Sequence, residues 1–148
     1  MFNVVVRLVP NRAHAEDLLQ EAFVKAFSKI DRFDGSRSFG AWLKRIVINT
    51  AISDLRRKET KMVEFDDFQH DVAEQDEEAL PGLQPEQLHK AIKNLPNGAR
   101  MVFTLYQIEH YKHQEIAEVL GCSISSSKNQ YARARHLLRE ALKKEYYA

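Results

Sequence analysis

Apolar residues recur at helical spacing in the first third of the chain. From Ala15 onward they fall at i, i+3, i+4, i+7 and i+8, namely at Leu18, Leu19, Ala22, Phe23, Ala26, Phe27 and Ile30. This period predicts an amphipathic helix with a buried apolar stripe. A second stripe, formed by Phe39, Trp42, Leu43, Ile46, Val47, Thr50 and Leu55, predicts a helix that Ser38 caps and that ends near Lys58. Residues 1–9 fit either a strand or a helix, and we predict a helix.

The second half of the chain shows shorter periods separated by Pro and Gly. Pro85 suits the first turn of a helix that Pro96-Asn97-Gly98 ends, and a further helix is predicted over 99–109. A short helix over 113–120, a connection containing Gly121 and a longer helix over 124–142 then make a helix-turn-helix pattern. Helical hairpins that bind no DNA share this pattern, so it does not establish DNA binding by itself.

The longer helix of this pattern has two distinct faces. One stripe holds Ser127, Tyr131, Ala134 and Leu138, and the opposite face holds Lys128, Asn129, Arg133 and His136. The outward residues supply donors for phosphates and base edges. Ser127 places a hydroxyl on the buried stripe, which costs stability unless that hydroxyl bonds a backbone carbonyl.

Charge is segregated along the chain although the net charge is only +1. Residues 1–61 carry 12 Lys and Arg against 7 Asp and Glu, residues 62–90 carry 1 against 9, and residues 91–148 carry 9 against 5. Together with the helical periods this predicts an all-α fold with two small lobes, 1–61 and 85–148, joined by a flexible acidic linker over 62–84. Two basic lobes are typical of a protein that binds a polyanion at two places. However, charged residues that merely form a solvated surface explain this charge pattern equally well.

Composition narrows the functional class further. The chain has one cysteine, Cys122, and neither an apolar run long enough for a membrane span nor a secretory signal, so we expect a cytoplasmic protein without membrane insertion. His113-Gln114-Glu115 fits half of a zinc deaminase signature, but a single cysteine cannot supply the other half. Because the usual catalytic motifs are missing as well, we expect no enzyme, no metal, no cofactor and no small-molecule substrate.

Two blocks of sequence together resemble the extracytoplasmic-function sigma factors of bacterial RNA polymerase. The first reads AEDLLQEAFVKAF over 15–27, continues as SFGAWLKRIVIN over 38–49 and ends with DLRR over 54–57. The second begins with Leu95-Pro96, continues as HQEIAEVLG over 113–121 and ends as YARARHLLR over 131–139. These blocks resemble the second and fourth conserved regions of the family, in the family's order.

The resemblance implies partners and contact residues. It implies that core RNA polymerase, promoter DNA and an anti-sigma factor bind this chain, and that the acidic linker lies in the RNA exit path. Contact with core polymerase is implied for Asp17, Gln20 and Glu21, contact with the melted minus-10 element for Arg45, Asn49, Arg56 and Arg57, and contact with the minus-35 element for Ser125, Ser126, Lys128, Asn129 and Arg133. The loop over 34–38 is expected to assist Asn49 in holding a flipped base, and Trp42 is expected to belong to the core.

The sequence departs from the family pattern at two places. At the start of the second helix of the helix-turn-helix, the residues differ from those usual in the family and are Ser125-Ser126-Ser127 and Asn129-Gln130. This difference affects the promoter sequence that we expect the chain to recognise. The family also has another helix before the equivalent of Asn11, where this chain offers ten residues, so we expect a truncated start or a reduced lobe with a bare apolar surface. A helix-turn-helix regulator that does not join polymerase, and a protein-interaction adaptor, are the alternative functions.

Overall fold

A computed structural model describes residues 1–58 and 84–146 of the chain. They form two compact units, an amino-terminal unit of residues 1–58 and a carboxy-terminal unit of residues 84–146, which are described separately. The described residues are helical and contain no strand, which confirms the all-α prediction. The predicted linker, apart from Gln84, lies outside them. None of the helices in the described part is both long and apolar enough to cross a membrane.

The amino-terminal unit consists of three helices. They are α1 (Phe2–Leu8), α2 (Arg12–Ser28) and α3 (Phe39–Lys58), with a single 3-10 turn over Ile30–Arg32. Each of the three helices packs against the other two. The core consists mainly of small and β-branched residues, among them Val5, Ala15, Ala22, Val47, Ile48, Ala51 and Ile52. The first ten residues therefore do supply a helix before Asn11, as predicted, and it covers part of the surface that we expected to be bare.

Three residues of the predicted buried stripes lie at the surface instead. Phe27 is 69% exposed, and Ile30 and Phe39 are about half exposed. For Phe27, the reason is that α2 faces α1 and α3 mainly through Ala15, Ala22 and Ala26. These small side chains allow close approach of the helices, and the bulky residues beside them are left outside.

The chain between α2 and α3 has a defined local structure. The backbone N–H of Ser36 donates to Asp34 Oδ1 at 2.9 Å, across Gly35 in the left-handed conformation with φ +76°. The Ser38 Oγ accepts a hydrogen bond from the Ala41 N–H at 3.2 Å, which confirms Ser38 as the cap of α3.

The carboxy-terminal unit contains four helices. They are α4 (Pro85–Lys93), α5 (Asn97–Phe103), α6 (His113–Leu120) and α7 (Ile124–Tyr146), and α5 continues into a π-helical turn over Thr104–Ile108. Helices α4, α5 and α6 all pack against α7. The apolar core beneath α4, α5 and α7 contains Ile92, Leu95, Ala99, Phe103, Ala134 and Leu138.

Several predicted boundaries in this unit need correction. Asn97 and Gly98 begin α5, since Pro96 is its N-cap, and α7 runs four residues past the predicted end at Leu142. The π-helical turn was not predicted; its wide winding is closed by the Glu109 N–H, which donates to the Thr104 carbonyl at 3.0 Å. Leu88, an apolar residue of α4, is 41% exposed.

Candidate polymerase and nucleic-acid interfaces

The outer face of α2 combines acidic, amide and apolar side chains. Asp17, Gln20 and Glu21 are exposed, and the Glu21 carboxylate lies 3.0 Å from the Lys25 ammonium. Helical spacing places Val24 and Phe27 on the same face, and they are 70% and 69% exposed. We call these five residues, 17, 20, 21, 24 and 27, the α2 face.

Sequence reasoning missed the apolar part of the α2 face. Phe27 was predicted to be buried, and no exposed position was predicted for Val24. The available signal was the excess of apolar residues in α2, because a helix packed on one side cannot bury apolar residues around more than about half of its circumference. Large exposed apolar side chains inside a charged surface are typical of a protein-binding site.

The four residues of α3 that are expected to contact the minus-10 element do not all lie on one face of the helix. Arg45, Asn49 and Arg56 are spaced so that an α-helix places them along one line, with Asn49 and Arg56 exposed and Arg45 half-buried. Arg57 lies about a third of a turn away, and its guanidinium is 3.8 Å from Asp54 Oδ1. Three of the four predicted residues therefore share a face.

Asp54, which lies beside Arg57 on the buried side of α3, connects α3 to α2. Its Oδ2 lies 2.7 Å from His14 Nε2, and the carboxylate is largely buried between the two helices. The pair joins the beginning of α2 to the second half of α3, and it had no counterpart in the sequence analysis because the two residues are forty positions apart.

An aromatic cluster stands at the beginning of α3. The ring centroids of Phe33, Phe39 and Trp42 lie 5.5–5.7 Å from one another, and Trp42 is half-buried by its two neighbours. Trp42 was expected to belong to the core, but it is only half-buried and packs in this cluster beside the core. Hydrogen bonds from Ser36 lower the pKa of the Asp34 carboxyl in the adjoining loop, which keeps this exposed side chain ionised.

The helix-turn-helix is formed by α6 and α7. Gly121 ends α6 in the left-handed conformation, with φ +69°, a geometry that favours glycine. The Ser123 Oγ accepts from the Ser126 N–H at 3.0 Å, so Ser123 caps the start of α7. The turn therefore has the local structure that the sequence predicts.

The first three turns of α7 carry the predicted DNA contacts. Ser125 and Lys128 are exposed, whereas Ser126, Asn129 and Arg133 are half-buried. On an α-helix these five positions lie within less than half of the circumference. Ser127, Gln130 and Ala134 lie on the other side and are buried, which confirms the predicted orientation of the buried stripe.

The buried Ser127 hydroxyl is satisfied by a side chain rather than by a backbone carbonyl. His113 Nδ1 lies 2.8 Å from Ser127 Oγ. Burial lowers the pKa of His113, and the nearby Lys128 ammonium lowers it further, so the imidazole is neutral near pH 7. Across 1–58 and 84–146, no three His, Cys, Asp or Glu side chains are arranged to hold a metal ion.

Comparison with known proteins gives a consistent result. The model of Sigma-70 region 2 matches residues 1–60, and the model of Sigma-70, region 4 matches residues 85–138. The RNA polymerase sigma-H factor of Pseudomonas aeruginosa is 29% identical over 96% of this chain and 80% of its own length. The ECF RNA polymerase sigma factor SigW of Bacillus subtilis is 30% identical over 97% of this chain and 83% of its own length.

A solved structure extends this similarity to the fold. The sigma factor RpoE of Bartonella quintana, in complex with the anti-sigma factor NepR, is 28% identical. The similarity covers 96% of this chain and 89% of that one, with a TM-score of 0.64. Since both region models match in the family's order and SigW is matched over most of its length, this chain belongs to the extracytoplasmic-function sigma factors, which direct promoter recognition and transcription initiation by RNA polymerase.

Proposed function

We propose that this chain is a dissociable promoter-specificity subunit that uses three surfaces for three tasks. The α2 face binds core RNA polymerase, the stripe of Arg45, Asn49 and Arg56 with Arg57 beside it binds the melted minus-10 strand, and the outward side of α7 binds the minus-35 duplex. The amino-terminal lobe, 1–61, and the carboxy-terminal lobe, 85–148, are joined by the acidic linker over 62–84.

The α2 face is the observation that carries this proposal. A regulator that does not join polymerase has no need for two large exposed apolar side chains surrounded by Asp17, Gln20 and Glu21. Apolar side chains supply binding energy once a partner covers them, and the carboxylates favour a basic partner surface. This combination suits a basic helical surface on the polymerase.

The DNA contacts are proposed from exposure and chemistry. Asn49 has an exposed amide that can read the edge of an unpaired base, while Arg45 and Arg56 on the same line can bind the strand's phosphates. On α7, Asn129 and Arg133 can reach base edges in the major groove, and Ser125, Ser126 and Lys128 can bind phosphates.

The proposal also covers the catalytic role of the chain, its place in the cell and the regulation of its activity. The chain contributes no catalytic step, because the polymerase makes the RNA, and it acts in the cytoplasm. An anti-sigma factor holds it inactive by covering these surfaces. Support comes from the similar sigma factor RpoE of Bartonella quintana, whose structure was solved in complex with the anti-sigma factor NepR.

The first experiment tests binding to polymerase. The purified full chain is mixed with bacterial core RNA polymerase and analysed by size exclusion, with Asp17→Arg/Glu21→Arg as the matched variant. We expect the wild-type chain to comigrate with the polymerase and the charge-reversed chain to elute alone. A folded wild-type chain that does not comigrate would overturn the proposal and favour the regulator.

The second experiment tests the two DNA surfaces in the reconstituted holoenzyme. Arg133→Ala should weaken minus-35 duplex binding, and Asn49→Ala should reduce open-complex formation, each by about 1–3 kcal/mol if the side chain contacts a base. Lys90→Ala, on the exposed side of α4, is the control. Unchanged promoter output from both variants would refute these assignments.

A further inference from the structure

A partly buried polar contact joins the two helices of the helix-turn-helix. Ser127, in the first turn of α7, has no exposed surface, and its hydroxyl is bonded to His113 Nδ1 at 2.8 Å. His113 is the first residue of α6. Each group satisfies the other, so the pair avoids the cost of leaving a buried polar atom without a partner.

Aromatic rings set the orientation of the His113 imidazole. Its ring stacks on Tyr106, with centroids 4.2 Å apart and planes inclined by 16°. Tyr106 in turn contacts Tyr131, with centroids 4.6 Å apart, and the Tyr131 hydroxyl donates to Gln107 Oε1 at 2.6 Å. The Tyr106 ring therefore fixes the orientation in which the His113 imidazole contacts the Ser127 hydroxyl.

These contacts hold α7 at two points that are one turn apart. His113, at the start of α6, bonds position 127, and Gln107, in the π-helical turn, bonds position 131. Both contacts are directional hydrogen bonds, which restrain the rotation of a helix more strictly than apolar contact does.

The rotation of α7 matters because Ser127 lies between Ser126 and Lys128, two of the proposed DNA contacts. At the radius of a helix with its side chains, about 5–6 Å, a rotation of about 20° displaces the outer atoms by about 2 Å. Hydrogen bonds to base edges do not tolerate such a displacement.

We propose that His113 is a positioning residue that, through Ser127, sets the rotation of α7 and thereby the sequence discrimination at the minus-35 element. This inference rests on the proposed contact between α7 and the minus-35 duplex. An apolar pair in place of His113 and Ser127 packs the two helices together but leaves their relative rotation less restricted.

The test uses holoenzyme reconstituted from the full chain and core polymerase. Wild-type holoenzyme first selects promoters from a DNA pool that is randomised across the promoter region. Discrimination is then the ratio of transcription from a selected promoter to transcription from the same promoter with one minus-35 base changed. The variants are His113→Phe, His113→Asn and His113→Phe/Ser127→Ala, with the exposed His89→Asn as the control. Thermal unfolding is followed in parallel.

The variants separate positioning from stability. His113→Phe leaves the Ser127 hydroxyl without its partner and should lower discrimination about three- to tenfold, as expected for one lost hydrogen bond. His113→Asn presents an amide near the position of Nδ1 and should keep discrimination within twofold of the wild type. The double variant removes both polar groups and should regain thermal stability without regaining discrimination.

Each possible outcome supports or refutes either the positioning role of His113 or the proposed contact of α7 with the minus-35 element. Wild-type discrimination in folded His113→Phe, or its full recovery in the double variant, would overturn the positioning role while leaving the proposed function intact. A wild-type holoenzyme that selects promoters without any minus-35 preference would instead overturn the proposed α7 contact. If His113→Phe does not fold, Ser127→Ala is compared with His113→Asn, and equal discrimination by the two refutes the inference.

Discussion

Replacing Phe27 by alanine tests the α2 face most directly, because the change should affect binding and leave folding unchanged. Phe27 is 69% exposed in the free chain, so its truncation removes few internal contacts. Substitutions at such sites change the free energy of unfolding by about 0.5 kcal/mol or less. Any large effect of Phe27→Ala therefore reports on a surface that binds a partner.

The magnitude follows from the exposed area. A phenylalanine exposes about 200 Å² when fully accessible, so about 140 Å² of Phe27 is available for burial. At about 25 cal/mol per Å² this corresponds to at most about 3–4 kcal/mol. Alanine retains part of this area, and ordering the phenylalanine side chain has an entropic cost, so we expect about 2 kcal/mol, or about 30-fold weaker binding.

The assay is a titration of fluorescently labelled full chain with core RNA polymerase, followed by anisotropy. Leu88→Ala, which truncates an apolar side chain that is 41% exposed in the other unit, is the control and should bind as the wild type does. Binding of Phe27→Ala within twofold of the wild type would refute the assignment of Phe27 to the polymerase interface. A clear loss of thermal stability would show instead that Phe27 supports the fold.

Three further predictions concern stability, each measured by chemical denaturation at equilibrium. Ser38→Ala removes the acceptor for the Ala41 N–H and should destabilise the amino-terminal unit by about 1 kcal/mol; an unchanged midpoint would argue against the cap. Gly121→Ala places a side chain at φ +69° and should destabilise the carboxy-terminal unit by about 1–2 kcal/mol; no loss would contradict the left-handed turn. Because burial and Lys128 lower the pKa of His113, protons bind the unfolded chain more readily than the folded one, so stability should be complete above about pH 6.5 and fall as the pH drops below that value. His113→Asn should reduce this dependence, and an equal dependence in both chains would refute the attribution to His113.

The helices could be predicted from sequence because their signals are local. A sustained apolar period, a capping serine and a glycine after the last turn predicted α2, α3, α6 and most of α7. Burial was less predictable. The exposure of Phe27 depends on which helices pack against α2. The spacing of apolar residues in α2 does not by itself reveal that Ala15, Ala22 and Ala26 form the packed side.

The contacts that join distant residues could not be read from periodicity. The partner of Ser127 lies fourteen positions away, and the partner of Asp54 lies forty positions away. The π-helical turn was missed for a related reason, since Val102, Leu105, Tyr106 and Ile108 fit an ordinary helix equally well. The contact residues for polymerase and DNA remain predictions that the experiments above address.

The π-helical turn also has a consequence for how this part of the chain tolerates changes in length. A wide turn accommodates about one residue more than an α-helical turn, so a deletion of one residue within 104–108 would restore regular winding. Because the wide turn already absorbs the extra residue, the helical residues on either side would keep nearly their present orientation. Only the contacts made by residues of the turn itself, those of Tyr106 and Gln107 with Tyr131, would change. In the regular helices α6 and α7, by contrast, a deletion of one residue would rotate all the residues that follow by about 100°, so the turn is the place where the helices of this unit tolerate a change of length best.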